Sequence, residues 1–176
     1  MNILVTHASK MGGTQGLAEA IAAGLGEGAV VLPVDAVKHL DGYDAVVIGG
    51  GLYAGRWTGA GRRFVRRHAK ELRAKDVWFF SSGPLDDSAH EHPIDPTPSV
   101  RRMMEKVGAK GHVTFGGRLP ADAKGFPASA MAKKMAGDWR NFEEARAWGH
   151  EIAAEMSTDA DRQHAAKMGD GRRRDP

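Results

Sequence analysis

Three short stretches of this chain combine glycines, hydroxyls and aromatics in a way that suits a phosphate joined to a flat ring. In Ser9-Lys10-Met11-Gly12-Gly13-Thr14, two hydroxyls, one ammonium and a glycine pair stand just ahead of an apolar run with helical spacing. A phosphate placed there would meet backbone N–H groups that lack helical partners, together with the positive end of the helix dipole. The stretch matches neither the Gly-x-Gly-x-x-Gly pattern of dinucleotide sites nor the P-loop ending in Gly-Lys-Ser/Thr, so both lose ground. Taken alone, it reads equally well as an ordinary strand-to-helix turn capped by Thr14.

The second stretch runs Gly49-Gly50-Gly51-Leu52-Tyr53-Ala54-Gly55-Arg56-Trp57. Gly51, Leu52, Tyr53, Ala54, Gly55 and Trp57 are its candidates to lie against a ring. Tyr53 and Trp57 can each stack there, and packing beneath a sheet is the competing role for either. The third stretch, Ser81-Ser82-Gly83-Pro84-Leu85, is another loop of small residues. Its candidates are Ser82, Gly83, Pro84 and Leu85.

These stretches can meet only if each follows a strand at one edge of a common sheet. Short β-branched runs at 3–6, 30–34, 45–48, 77–81 and 112–115 alternate with longer helical patterns, which predicts an α/β domain with a parallel sheet. The runs are almost continuously apolar, as expected of strands covered on both faces. Leu17, Ala18, Ile21, Ala22 and Leu25 mark the first helix, and Phe64, Val65, Ala69 and Leu72 a long later one. A short helix is expected after Asp35. Thr97-Pro98 starts a helix carrying Val100, Met103, Met104 and Val107, and Asn141-Phe142-Glu143-Glu144 opens the last one as a capping box. The expected fold is a three-layer sandwich, five parallel strands in the order 2-1-3-4-5 with helices on both faces. In such a sheet, ligands bind at the carboxyl ends around the switch between strands one and three.

The 176 residues, 41% of them hydrophobic, suit one domain. The domain is expected over 1–156, with an insertion at 116–138 too long for an ordinary connection and a polar, disordered tail at 157–176. The absence of cysteine excludes disulfide frameworks, thiolate-held metals and catalytic thiols. With no apolar run near membrane-span length and no basic, apolar leader, a cytoplasmic protein is expected. The formal charge of +3 permits an anionic partner without naming one.

The three loops resemble those of the flavodoxin family, which binds flavin mononucleotide (FMN) through a phosphate loop after strand one and ring loops after strands three and four. Ser9 to Thr14 stands where that family has Ser/Thr-x-x-Gly-x-Thr. The resemblance spans residues 1 to 156 and implies FMN as cofactor, with Ser9, Lys10, Met11, Gly12, Gly13 and Thr14 at its phosphate. Asp41 to Gly49, Tyr53-Ala54-Gly55-Arg56-Trp57, Arg63-Phe64-Val65 and Gly137-Asp138-Trp139-Arg140 are similar to flavodoxin-domain proteins related to menaquinone-dependent protoporphyrinogen IX dehydrogenase. That likeness implies an oxidoreductase with a small-molecule or quinone partner. The alternatives are an electron carrier between proteins, or a flavin-free interaction module. Carriers of this family are typically acidic, so the basic charge favours the enzyme.

Weaker signals have plainer readings. Arg62, Arg63, Arg66, Arg67, Lys70 and Arg73 read as a solvated helix face, with docking on an anionic partner such as a membrane surface as the alternative. Nucleic acid is not expected, because no binding motif or aromatic platform accompanies the charge. Asp86, Asp87, His90, Glu91, His92 and Asp95 lack the spacing of a closed metal site, and no metal is expected. In the insertion, Phe126, Met131 and Met135 are expected to pack on the sheet, or else to receive a membrane-borne substrate. Neither His7 nor His150 has a visible nucleophile partner.

Overall fold

The computed structural model describes residues 1–124 and 128–171, with side chains as far as Arg162. Phe126 lies outside the described residues. The chain runs β1 (Ile3–Ala8), α1 (Gly13–Leu25), β2 (Ala29–Pro33), β3 (Ala45–Tyr53), β4 (Arg56–Trp57), α2 (Gly59–Arg67) and α3 (Ala69–Leu72). It continues through β5 (Asp76–Ser82), α4 (Ser88–Glu91), α5 (Pro98–Val107), β6 (Gly111–Phe115), β7 (Arg118–Leu119), α6 (Ala128–Met135), β8 (Gly137–Asp138) and α7 (Phe142–Gly171). Five strands pair in parallel in the order β2-β1-β3-β5-β6. With the two-residue β4 set aside as a hairpin on β3, this is the expected 2-1-3-4-5 sheet.

Alternation along the strands fills both faces. Leu4, Val46, Ile48, Val77 and Phe79 point to the side of α2, α3 and α5. Their neighbours Ile3, Val5, Val47, Trp78 and Phe80 point to the side of α1 and α7. Successive side chains of a strand face opposite ways, so a run apolar at every position needs helices on both sides. On the second side α1 and α7 cross closely at Gly24 and Gly149, where a Cβ on either would run into the other helix's backbone.

Four elements depart from expectation. Residues 34–36 form a turn rather than a helix, with Ala36 N–H donating to Pro33 O at 2.9 Å. The following backbone is held by side chains instead, Leu40 N–H by the Glu71 carboxylate at 3.1 Å and Tyr43 O by Lys75 Nζ at 2.6 Å. The long helix of the basic stretch is two, parted at His68, whose buried ring meets Glu71 at 2.9 Å through Nδ1. The insertion is structured where described: β7 and β8 pair antiparallel, with α6 between them.

The last helix does not end near Met156 but continues to Gly171, so the expected disorder of the tail is corrected as far as that residue. Its extension rests on Asp159, which reaches Lys110 at 2.8 Å while Lys110 also holds Asp76 at 3.0 Å. Residues 172–176 lie outside the described residues. Thr97 caps as expected, its Oγ1 accepting from Val100 N–H, while the expected capping box is half made: Asn141 Oδ1 accepts from Glu143 and Glu144 N–H, but the Glu144 carboxylate faces His90 at 3.4 Å.

Candidate functional site

β1, β3 and β5 end at the same edge, and the loops that follow them enclose a cavity of about 360 Å³. β1 leads into Ser9, Lys10, Met11, Gly13 and Thr14. β3 supplies Gly51, Leu52, Tyr53 and Ala54, and β5 supplies Ser82, Gly83 and Leu85. Twelve of the sixteen residues expected at a ligand therefore line one hollow.

The floor is the start of α1. Gly12 is its N-cap with φ +71°, a left-handed conformation that glycine adopts without strain, and it leaves the first-turn N–H groups without a side-chain cap. The expected Thr14 cap is not formed. Thr14 instead lies buried within the first turn, facing Gly51, where an added Cβ would come 3.5 Å from its hydroxyl. Ser9 Oγ accepts from Met11 N–H at 3.3 Å and so shapes the approach to the helix. Lys10 Nζ stands 5.4 Å from the centre of the Tyr53 ring, joining the first loop to the second.

Four expected residues do not line the hollow. Gly12 and Gly55 set positive-φ turns beside it. Pro84 uses its carbonyl to hold Gly117 N–H at 2.7 Å. Trp57 is the substantial correction: it is 1% exposed, stacked on Phe79 at 5.0 Å between centroids, and its Nε1 donates to Ser81 Oγ at 3.0 Å. It is a core residue on the side of α2 and α5, which leaves Tyr53 as the aromatic at the cavity among the described residues.

The fourth wall comes from the insertion, where Met131 and Met135 are 41% and 46% exposed rather than packed on the sheet as first expected, and a role over the ligand was the alternative. Gly117, Arg118, Leu119, Ala128 and Met131 face the cavity from the 116–138 segment. Trp139 N–H donates to Gly117 O at 2.9 Å, and Ser82 Oγ to Gly116 O at 3.4 Å. Asp138 accepts from Arg140 Nε at 2.7 Å and lies 3.9 Å from Arg118, while Arg140 Nη1 reaches Gly13 O at 3.2 Å. The Arg140 hydrogen bond, with the guanidinium's charge behind it, holds the Asp138 carboxyl below its usual range. The segment is thereby tied to the first turn of α1. Its signals in the sequence were its length and the glycine pair Gly116-Gly117.

Among the described residues, Lys10 and Arg118 are the charged groups of the lining, and no carboxylate shares it. Anionic ligands are favoured there by these cations and by the helix end. A flavodoxin-domain family model matches residues 4–137. The chain belongs to the flavodoxin-domain family.

The same fold is found in solved structures of low sequence identity. A flavodoxin from the domain Archaea superposes with TM-score 0.59 at 16% identity, over 89% of this chain and 99% of that one. A WrbA-like flavodoxin protein from Agrobacterium tumefaciens gives 0.58 at 20%, over 89% and 98%. The Flv1 flavodiiron core from Synechocystis sp. PCC6803 gives 0.60 at 13%, over 90% of this chain and 36% of that one. No curated protein matches the chain in sequence.

The cofactor of the flavodoxin domain is FMN, and the residues present fit it. A doubly charged phosphate suits the uncapped start of α1, the Ser9 and Thr14 hydroxyls and the Lys10 ammonium. A ring suits the opening bounded by Tyr53, Leu52 and Gly83, which a Cβ at Gly51 would crowd at 3.1 Å from Tyr53. His7, just ahead of this loop, has its pKa lowered by burial against an opposing pull from Glu19. In the 86–95 loop, His90 ties Trp139 O at 2.9 Å and Glu144 at 3.4 Å, a structural use of that ring. Among the described residues, no group of three or more His, Asp or Glu comes together as a metal site. None of the helices described is long and apolar enough to cross a membrane.

Proposed function

We propose that this flavodoxin domain is an FMN-dependent oxidoreductase acting on a small redox partner, in a quinone-linked, protoporphyrinogen dehydrogenase-like reaction. The observation that carries this reading is the fourth wall, where Leu119, Ala128 and Met131 add apolar surface facing the three flavin loops. A carrier between proteins needs an exposed ring edge, whereas a walled hollow suits a small molecule. The motif Gly137-Asp138-Trp139-Arg140 supports the same subgroup, because it fastens that wall to α1.

When bound, FMN supplies the electron transfer, and the protein supplies orientation and environment. Ser9, Lys10, Met11, Gly12, Gly13 and Thr14 would hold its phosphate. Tyr53, with Gly51, Leu52, Ala54 and Gly55, would flank one side of the ring, and Ser82, Gly83, Pro84 and Leu85 the other. α6 exposes Met131 and Met135 beside Lys133 and Lys134, a combination that supports arrival of the acceptor from an anionic lipid surface of the cytoplasm.

The deciding experiment is the visible spectrum of the purified chain with and without FMN, followed by turnover of a quinone with a chemical reductant. A shifted two-band flavin spectrum and unassisted quinone reduction are expected. A chain that remains colourless with added FMN ends the redox reading in favour of an interaction module. Flavin binding without turnover favours the carrier.

A further inference from the structure

The α2–α5 face carries cations that the flavin site does not use. Arg62, Arg63, Arg66 and Arg67 are all exposed on α2, and Arg102 and Lys106 on α5. Among the described residues, none of these six is in an ion pair. The helix dipole accounts for Arg66 and Arg67 in the last turn of α2, but Arg62 and Arg63 lie towards its positive end. The pairs Arg62/Arg66 and Arg63/Arg67 also repel at i,i+4. The helix is held by burial of Phe64 and Val65 despite its charges.

The surface is grooved. A hollow of about 390 Å³ between α2 and α5 is walled by Arg62, Arg63, Arg66, Arg102 and Lys106, with no carboxylate in its lining among the described residues. A second hollow of about 290 Å³ on the other flank of α2 shares Arg63 and Arg66 and adds Arg67, three cations against the one carboxylate of Asp35 in its described lining. α2 also begins beside the flavin cavity: Thr58 caps it directly after β4, and a Cβ at Gly61 would lie 3.2 Å from that of Ala8, the residue before Ser9.

We propose that this ridge docks an acidic protein, whose Asp and Glu side chains enter the two hollows and which thereby abuts the cavity edge. A lipid surface fits less well, because the exposed large apolar residues of the described chain are Met1, Val30, Met131, Met135 and Phe142, none on α2 or α5. A nucleic acid fits less well for want of an exposed aromatic beside the arginines. Docking stands without the flavin and does not rest on the proposed function.

The test is fluorescence anisotropy of a labelled oligoglutamate peptide on the full chain, with and without FMN, at low and physiological salt. Binding that weakens with salt, and that falls by at least about tenfold in Arg62→Ala/Arg63→Ala while Arg146→Ala/Arg162→Ala on the exposed face of α7 leaves it intact, is expected. Unchanged melting of the variants would show that the loss is not one of folding. Equal losses in both double variants would reduce the effect to net charge and overturn the proposal. Tighter binding of phosphatidylserine vesicles or a single-stranded oligonucleotide through the same arginines would overturn it in favour of that partner. Peptide binding by a chain that takes no FMN would leave the docking surface standing and remove the redox function.

Discussion

The indole N–H of Trp57 donates to the hydroxyl of Ser81 at 3.0 Å, across the sheet from β4 to β5 and beneath the loops of the cavity. Two aromatics four residues apart, Tyr53 and Trp57, thus have different tasks, and substitutions separate them. Trp57→Phe is expected to cost about 1–3 kcal/mol of stability, through the lost buried hydrogen bond and volume, with little change in FMN affinity. Tyr53→Ala is expected to weaken FMN by about tenfold, near 1.4 kcal/mol, with the melting temperature of the flavin-free protein nearly unchanged. Flavin fluorescence titration and urea unfolding of both variants check the pair, and the reverse pattern would reassign the ring contact.

The phosphate floor predicts a larger loss. Ser9→Ala combined with Thr14→Val removes two hydroxyls that would face a charged group, each worth roughly 1.5–3 kcal/mol. FMN should bind at least about tenfold more weakly, while circular dichroism stays that of the parent. Thr14 is buried, so valine keeps its volume. An unchanged dissociation constant would remove the phosphate from the start of α1.

Gly12 tests the backbone rather than the ligand. At φ +71° with open space beyond its Cα, alanine there meets no neighbour and suffers the left-handed strain alone. Gly12→Ala is expected to lower stability by about 1–2 kcal/mol and Gly12→Asn by less. Equal stability of all three proteins would show that this turn relaxes.

Acid sensitivity should centre on His112. Burial pushes its imidazole down to about 4, with Asp95 acting in the opposite direction. Nε2 lies 3.0 Å from Ser81 Oγ, and Nδ1 has no partner among the described residues. The unfolded chain takes up this proton near pH 6.5, so between about 6.5 and 4 the unfolded state binds more protons and stability falls with pH. The full contribution is present above that window, and its loss is at most about 3 kcal/mol. Asp138, whose carboxyl Arg140 holds low, contributes above about pH 4 and loses that contribution only below it. Denaturant curves at pH 7 and 4.5 should therefore differ less in His112→Gln than in the parent.

Lys110 anchors the far part of α7. Burial pulls its pKa down, but its hydrogen bonds to Asp159 and Asp76 together outweigh that and raise it. Lys110→Ala is expected to cost about 1 kcal/mol or less overall, as partly exposed ion pairs do. Hydrogen exchange should nevertheless quicken markedly from Ser157 onward while Ile152 stays protected.

The sheet was legible because every strand carries apolar residues on both faces, as at Val46 and Val47, and no other common arrangement buries such runs. The phosphate loop was legible for a local reason, glycines and hydroxyls between a strand and a helix. Trp57 was ambiguous because its role depends on a serine 24 positions away. The insertion was legible as a possible cover for the ligand, but not its lining by Gly117, Arg118 and Leu119, because their placement comes from long-range bonds to Pro84, Ser82 and Trp139, which leave no period in the sequence. The tail misled because Asp159 looks like any polar residue until Lys110 is placed beside it.

The glycine contact between α1 and α7 limits how the molecule can adjust to its cofactor. With Gly24 and Gly149 backbone against backbone, α1 is wedged between the sheet and a second helix, a contact that resists sliding along its axis. Its amino end is a fixed post. Adjustment on loading is left to residues 9–12, so the ordering entropy of binding is confined to a short segment. Enlarging either glycine would push the two helices apart and slacken the post, raising the rate of flavin escape from a position a full helix length away.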